Sequence, residues 1–357
     1  MAATARHSRG RTKWGLDRRG HRAFIFAAMK TILLAATLLP LSALAADPPK
    51  AAGKPYQLVA MDRKQVDADY AIQGEYSGKL DGNKTGVQVV ALGGGKFDAV
   101  LYRGGLPGDG WTGDKTKIER GSASAVKVTV GGLSGKIGGG KIAFGSDAPG
   151  KITLGSDTLE RVERKSPTMD AKPPEGAVVL FDGTNADAWE GTGMSEDKLL
   201  KEGQTSKQKF QSYTIHLEFM LAYKPDARSQ ERGNSGFYNQ SRYEVQVLDS
   251  FGLEGKDNEC GGIYSVKAPD FNMCLPPLQW QTYDIEFTAA KFDTKGKKSA
   301  NARATVKHNG VVIHKDVEIP KATTAAPLGE GPEPGPLHLQ NHGNPVRYRN
   351  IWVAEKK

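Results

Sequence analysis

Along the C-terminal half of the chain, apolar and polar positions alternate with period two. In Tyr213-Thr-Ile-His-Leu-Glu-Phe-Met-Leu221 the odd positions form one apolar row, and His216 and Glu218 point the other way. The same pattern predicts strands at Tyr243–Leu248, Trp280–Thr288, Ala302–His308, Val311–His314 and Tyr348–Val353. Asn309-Gly310, between two of these runs, is a two-residue hairpin signal. Shorter alternating runs precede them, at Val87–Leu92, Phe97–Tyr102, Ala125–Val130 and Lys151–Leu154, separated by Gly clusters. With no competing helical periodicity, the fold class is all-β. A small Gly-rich β domain is expected over 56–165, a Pro-rich linker over 166–175 and a β-sandwich over 176–357.

Composition places charge where no strand is predicted. The first 45 residues hold eight bases against one acid, so the remaining 312 carry 41 bases and 39 acids out of totals of 49 and 40. A nearly neutral body excludes a phosphate-tracking surface, and no nucleic-acid partner is expected. Met29-Lys30, the apolar run Thr31–Leu39 and the small residues up to Ala46 read as a secretory leader. Cleavage is expected after Ala45 or Ala46, which leaves residues 46–55 as a Pro/Ala/Lys tether and the protein periplasmic or secreted. Translation is expected to start at Met29; Met1 is the alternative. An uncleaved anchor over Ala23–Ala46 is interrupted by Lys30 and Pro40. In an exported chain, Cys260 and Cys274 are expected to form a disulfide closing a fifteen-residue loop, which adds about 3 kcal/mol. Two free buried thiols are the alternative.

Two motifs fail on their surroundings. Gly135-Lys-Ile-Gly-Gly-Gly-Lys141 has phosphate-loop spacing, but Ile142 stands where a Ser or Thr must hold magnesium. His338 and His342 have the spacing of a helical metal pair, yet Pro336, Gly343 and Pro345 make the segment extended. In a strand the two rings stand about 13 Å apart, too far for one ion.

Strand parity leaves a more informative set. Glu244 and Gln246 oppose the apolar row Tyr243, Val245 and Val247. His338, Gln340 and His342 oppose Leu337 and Leu339, and Arg347 and Arg349 alternate against Tyr348. Together with His216 and Glu218, four segments offer acids, amides, imidazoles and guanidinia on non-core faces, and these are expected to converge in one concave site. Glu244-x-Gln246-x-x-Asp249 is similar to the Glu-x-Asp-x-x-Glu strand of laminarinase-like β-glucanases. The Gln in the middle breaks a two-carboxylate relay, which argues against a conventional glycosidase.

Leu180-Phe-Asp-Gly-Thr-Asn185 with Trp189, Asn234-Ser-Gly236, Tyr243–Asp249, Gly262-Ile-Tyr264, Trp280–Glu286, Leu339–Gly343 and Arg349-Asn-Ile351 occur in that order. Together they resemble the 3-keto-disaccharide hydrolase family over roughly residues 176–357. The resemblance implies a concanavalin-like jelly-roll sandwich that cleaves glycosidic bonds of sugars oxidised at C3. A C3 ketone acidifies the C2 proton, so a base can remove it and expel the C1 oxygen, after which water adds. Such a site needs one base, an enolate partner and help for the leaving oxygen. The expected base is Glu244 or His342, with Arg349 or Arg347 stabilising the enolate. Asn234, Gln246, Tyr264, Gln340 and Arg347 are the expected substrate-binding residues. No cofactor is assigned beyond a divalent metal as an alternative enolate partner, with His216, Glu218 and Asp249 as its candidate ligands. The competing class is a non-catalytic carbohydrate-binding module stacking sugars on Trp189 or Trp280. A structural surface protein is the third, with Pro327–Pro336 a covering loop or lid beside the site. The N-terminal β domain is expected to bind substrate, a partner or the cell envelope.

Overall fold

The computed structural model of the chain describes residues 57–124, 127–130, 133–137 and 150–356. The basic extension, leader and tether lie outside the described residues.

Eight antiparallel strands close a small barrel. Around its wall they run Gly74–Leu80, Asp157–Val162, Lys151–Leu154, Leu133–Ile137, Val128–Val130, Ile118–Ser124, Lys96–Arg103 and Asn83–Ala91, which pairs with the first. Tyr76, Val87, Val89, Phe97, Leu101, Val130, Ile152 and Leu159 pack together as its buried core. Closure at this size brings backbones close. A Cβ on Gly121 would lie 1.8 Å from the Thr129 carbonyl oxygen, and one on Gly135 1.7 Å from that of Thr153. The first glycine of the phosphate-loop look-alike therefore serves strand packing.

The C-terminal part is a two-sheet sandwich. One sheet orders Val178–Phe181, Val346–Glu355, Tyr213–Leu221, Trp280–Thr288, Ala302–His308 and Val311–Ile319, with Leu200–Lys201 also paired to Val346–Glu355. The other orders Trp189–Gly191, Gln204–Phe210, Gly335–Leu339, Ser235–Asn239 and Tyr243–Val247. The expected apolar rows are the core between them: Tyr213, Ile215, Leu217, Phe219 and Leu221 face Tyr243, Val245, Val247, Leu337 and Leu339, all buried. Asn309 and Gly310 form the hairpin with φ of 49° and 78°.

The segment after the barrel is a clamped strap. Arg164 donates twice to Glu75 of the barrel wall, at 2.6 Å each, and once to the Pro107 carbonyl. Thr168 donates to Asp284, and the Asp170 backbone N–H to Glu218. Asn350 and Trp352 both donate to the Ala171 carbonyl. The strap covers the outer face of the larger sheet, so His216 and Glu218 have no exposure although alternation turns them away from the core.

Glu75 is buried and its guanidinium partner half-buried, so loss of that partner leaves a charge without compensation. Arg164→Ala is expected to cost about 3–5 kcal/mol in denaturant unfolding. Lys84→Ala, which breaks the exposed pair with Asp109, should cost under about 1 kcal/mol. Equal effects of the two changes would remove the strap from the structural account.

Candidate functional site

The smaller sheet carries one outward row across all five strands. Glu190 pairs with Thr205, Thr205 with His338, His338 with Tyr238, and Tyr238 with Glu244. The neighbouring row sets Gln340 and Gly236 beside Gln246, with the Gln340 N–H donating to the Gly236 carbonyl. A Cβ on Gly236 would lie 2.1 Å from the Glu244 Oε1, so this glycine leaves the space the carboxyl occupies.

Glu244 is 2% exposed, and Tyr238 stands directly opposite it in the strand register. Burial pushes its pKa up to about 8, and the neighbouring Tyr238 phenol offsets only part of that. The Gln340 amide donates to the Tyr238 hydroxyl at 3.1 Å, which leaves the phenolic proton for Glu244. Burial, and next the nearby Glu244 charge, raise the Tyr238 pKa, so the phenol keeps its proton. His338 stands 5.7 Å from the Tyr238 ring, centroid to centroid, with Nδ1 3.0 Å from the Thr205 hydroxyl. Burial lowers its pKa against a smaller opposing contribution from the Gln204 backbone, which keeps the imidazole neutral.

Amide groups continue the face. Gln246 donates to the Gln230 side-chain oxygen at 3.3 Å, and Asn234 donates to the same oxygen at 3.1 Å. The Asn234 Oδ1 is buried without a partner among the described residues. Tyr264 joins through its backbone N–H, which donates to the Glu244 carbonyl. Half-buried His338 and Gln340 flank Tyr238. The arrangement holds one proton-exchanging carboxyl, one phenol, one neutral imidazole and several amides suited to hydroxyl groups.

Five expected site residues are thus gathered: Glu244, Gln246, Asn234, Gln340 and Tyr264. The others are not. His342 is exposed, because the strand ends at Leu339 and the following turn breaks the alternation that placed it on the face. Arg347 and Arg349 belong to the other sheet. Arg347 pairs with Glu202 at 3.1 Å, and Arg349 with Glu218 at 2.7 Å while its guanidinium lies over the Trp280 ring. The expected metal set does not assemble either. Both ring nitrogens of His216 face carboxylates, Asp284 at 2.7 Å and Glu218 at 3.4 Å, while Asp249 is held by Arg232 at 2.7 Å. Among the described residues no three His, Cys, Asp or Glu side chains are placed to hold a metal ion.

Cys260 and Cys274 are free buried thiols, a correction to the expected disulfide. Each has its own polar neighbour: Cys260 lies 3.3 Å from the Tyr283 hydroxyl, and Cys274 3.6 Å from the Leu248 carbonyl. Pro327–Pro336 is pinned at the sheet edge, where Arg242 donates to the carbonyls of Gly329 and Glu333 and Tyr243 to the Glu330 carboxylate. Sequence parity missed Tyr238, whose strand Ser235–Asn239 is short and interrupted by Gly236, and Gln230, which reaches the face from a turn.

A profile of the 3-keto-alpha-glucoside-1,2-lyase-like domain matches residues 176–354. Among solved structures, the chain is similar to a candidate glycosyl hydrolase from Parabacteroides distasonis ATCC 8503, at 33% identity and a TM-score of 0.46, covering 52% of this chain and 85% of that one. A second candidate glycosyl hydrolase from the same organism is 17% identical with a TM-score of 0.39, covering 51% of this chain and 95% of that one. No curated protein matches the chain.

The raised pKa of Glu244 links it to stability. Its folded value of about 8 exceeds the ordinary 4.5, so the stability from holding the proton is full below pH 4.5 and is lost as pH rises towards 8. Glu244→Gln removes that loss. Its melting temperature is expected to gain on the parent between pH 5 and 8 and then run parallel, by an amount corresponding to a few kcal/mol. A gap independent of pH in differential scanning fluorimetry would show that Glu244 is not buried as described.

Proposed function

The chain belongs to the 3-keto-alpha-glucoside-1,2-lyase-like domain family, and from that premise we propose an exported enzyme that cleaves 3-keto-glycosides by elimination at C1–C2 followed by hydration. Membership supports a glycoside-related activity. The observation that carries the finer assignment is a single buried carboxyl, Glu244, with a pKa near 8 and a phenol against it. The next acid on the same row is Glu190, four strand spacings or about 19 Å away. Conventional glycosidases need two carboxyls within roughly 5–9.5 Å.

Glu244 removes the C2 proton made acidic by the C3 ketone. The electron pair forms the enolate, whose oxygen takes hydrogen bonds from Tyr238 and the neutral His338. Collapse of the enolate breaks the C1–O bond and releases the aglycone oxygen, which takes a proton from the site. Water then adds at C1 and a proton returns to C2, so the sum is hydrolysis. Gln340, Gln246 and Asn234 orient sugar hydroxyls, and the unpartnered Asn234 oxygen favours a hydroxyl donor.

Cleavage of a 3-keto-glucoside in heavy water is expected to place deuterium at C2 of the released 3-keto sugar; direct displacement at C1 would leave that position protonated. Because the base must be ionised, kcat/KM should climb about tenfold per pH unit below 8 and level off above. Glu244→Gln should lose at least about a thousandfold, and His342→Ala should change little. Full activity of Glu244→Gln would overturn the assignment of the base, whereas saturable binding of the 3-keto-glucoside with no cleavage by the parent would favour a carbohydrate-binding sandwich.

A further inference from the structure

The profile match stops short of the barrel, yet the barrel holds the sandwich beside the amide groups of the candidate site. The contact is made by the turn after barrel strand Asn83–Ala91, and it grips residues 224–232, the loop that leads into Ser235–Asn239. Arg228 of the loop donates to the Leu92 carbonyl at 2.8 Å. Gly93 has a φ of 83°, and a Cβ there would lie 2.1 Å from the Asp226 Oδ1. Beyond the neighbouring strand Tyr243–Val247, Arg120 of the barrel donates to the Gly252 carbonyl at 2.9 Å.

One buried side chain gathers these elements. Arg232 donates through Nε to Asp249 at 2.7 Å, and its own carbonyl accepts from the Asp249 N–H at 3.1 Å. This double link closes the open end of the strand pair that carries Tyr238 and Glu244. The Arg232 Nη1 lies 3.1 Å from the Ala91 carbonyl of the barrel, and 3.3 and 3.4 Å from those of Pro225 and Ala227 in the loop. Burying an ion pair is costly, and the Arg232 Nη2 finds no acceptor among the described residues. Apolar packing joins two folded parts at lower cost, whereas a guanidinium fork fixes several groups at set angles. What lies within this frame is Gln230. Its side-chain oxygen accepts from both Gln246 and Asn234, and its carbonyl accepts from Asn234 at 2.9 Å.

We propose that Arg232 is a positioning residue through which the barrel sets the amides Gln230, Asn234 and Gln246 for hydroxyl recognition. The inference rests on the reading of the smaller sheet as the sugar-binding face. It gives the barrel a part in substrate recognition although none of its side chains meets the sugar.

Two variants of the full chain test this. Arg232→Lys keeps a charge opposite Asp249 but cannot span the carbonyls. Arg228→Ala removes an exposed link, strands no buried charge, and decides the matter if Arg232→Lys does not fold. With a 3-keto-glucoside, KM is expected to rise at least about fivefold in Arg232→Lys and about twofold in Arg228→Ala, with kcat within about twofold of the parent. A merely structural role reduces the folded fraction, which lowers kcat and leaves KM alone; that pattern overturns the proposal. A second readout needs no catalysis. The side-chain amide NMR signals of Gln230 and Gln246 in the substrate-free chain, assigned by their loss in Gln230→Glu and Gln246→Glu, are expected to move in both variants. They should hold still in Lys84→Ala, at the other end of the barrel hairpin. Signals that stay in place in both variants, or that move equally in Lys84→Ala, overturn the proposal. A parent that cleaves no 3-keto-glucoside while the amide signals move defeats the assigned reaction and supports the positioning.

Discussion

The register of the smaller sheet is the constraint on which the candidate chemistry rests. Glu190, Thr205, His338, Tyr238 and Glu244 share one outward row because their strands pair residue against residue, with Leu339, Phe237 and Val245 aligned on the core side of the next row. A slip of one residue in any strand would turn its polar group into the apolar core, so the core packing itself enforces the alignment. Gly236 completes the arrangement by leaving space for the carboxyl. The unusual acidity of Glu244 follows from where the hydrophobic residues behind it must go.

The two carboxyls Glu218 and Glu244 occupy the same sandwich with opposite outcomes. Glu218 accepts from the Asp170 backbone, Asn350 and Arg349 and faces His216, and these partners outweigh its burial and hold it at about pH 2. Glu244 lacks such a set of donors, and burial wins. His216 shows the same rule in reverse: burial pulls its pKa down, but Asp284 and Glu218 hold it above the ordinary value. A charged network sealed under the strap is a fastening, whereas a lone carboxyl near neutrality can exchange a proton.

Strand parity made the apolar rows legible, and Tyr213–Leu221, Trp280–Thr288 and Ala302–His308 stand at their expected bounds. Parity says which side of its own strand a residue occupies; it does not say which sheet the strand joins. That is why Arg349, His216 and Glu218, outward on the larger sheet, were grouped with Glu244, outward on the smaller one. Burial of the outward face was equally hidden, because the strap that covers it reads from composition as a linker. Barrel closure depends on pairings between distant short strands, and the Gly-rich turns reveal only that strands exist. Tyr238 was within reach in principle, but a five-residue strand with a glycine in second place carries little periodicity.

Access to Glu244 is the remaining physical question, and the hydrogen bonds limit the answer. On the outer edge of the Tyr243–Val247 strand, the Glu244 N–H donates to the Thr323 hydroxyl, and the Thr323 N–H donates to the Arg242 carbonyl. Arg242 also holds the Pro- and Gly-rich segment that follows. Opening at this edge would break several buried bonds together, each costly to leave unmade. The approach over the face of the sheet passes His338 and Gln340, half-buried side chains that can turn without disturbing a strand. A ligand arriving from that side meets the Gln340 amide before the Glu244 carboxyl.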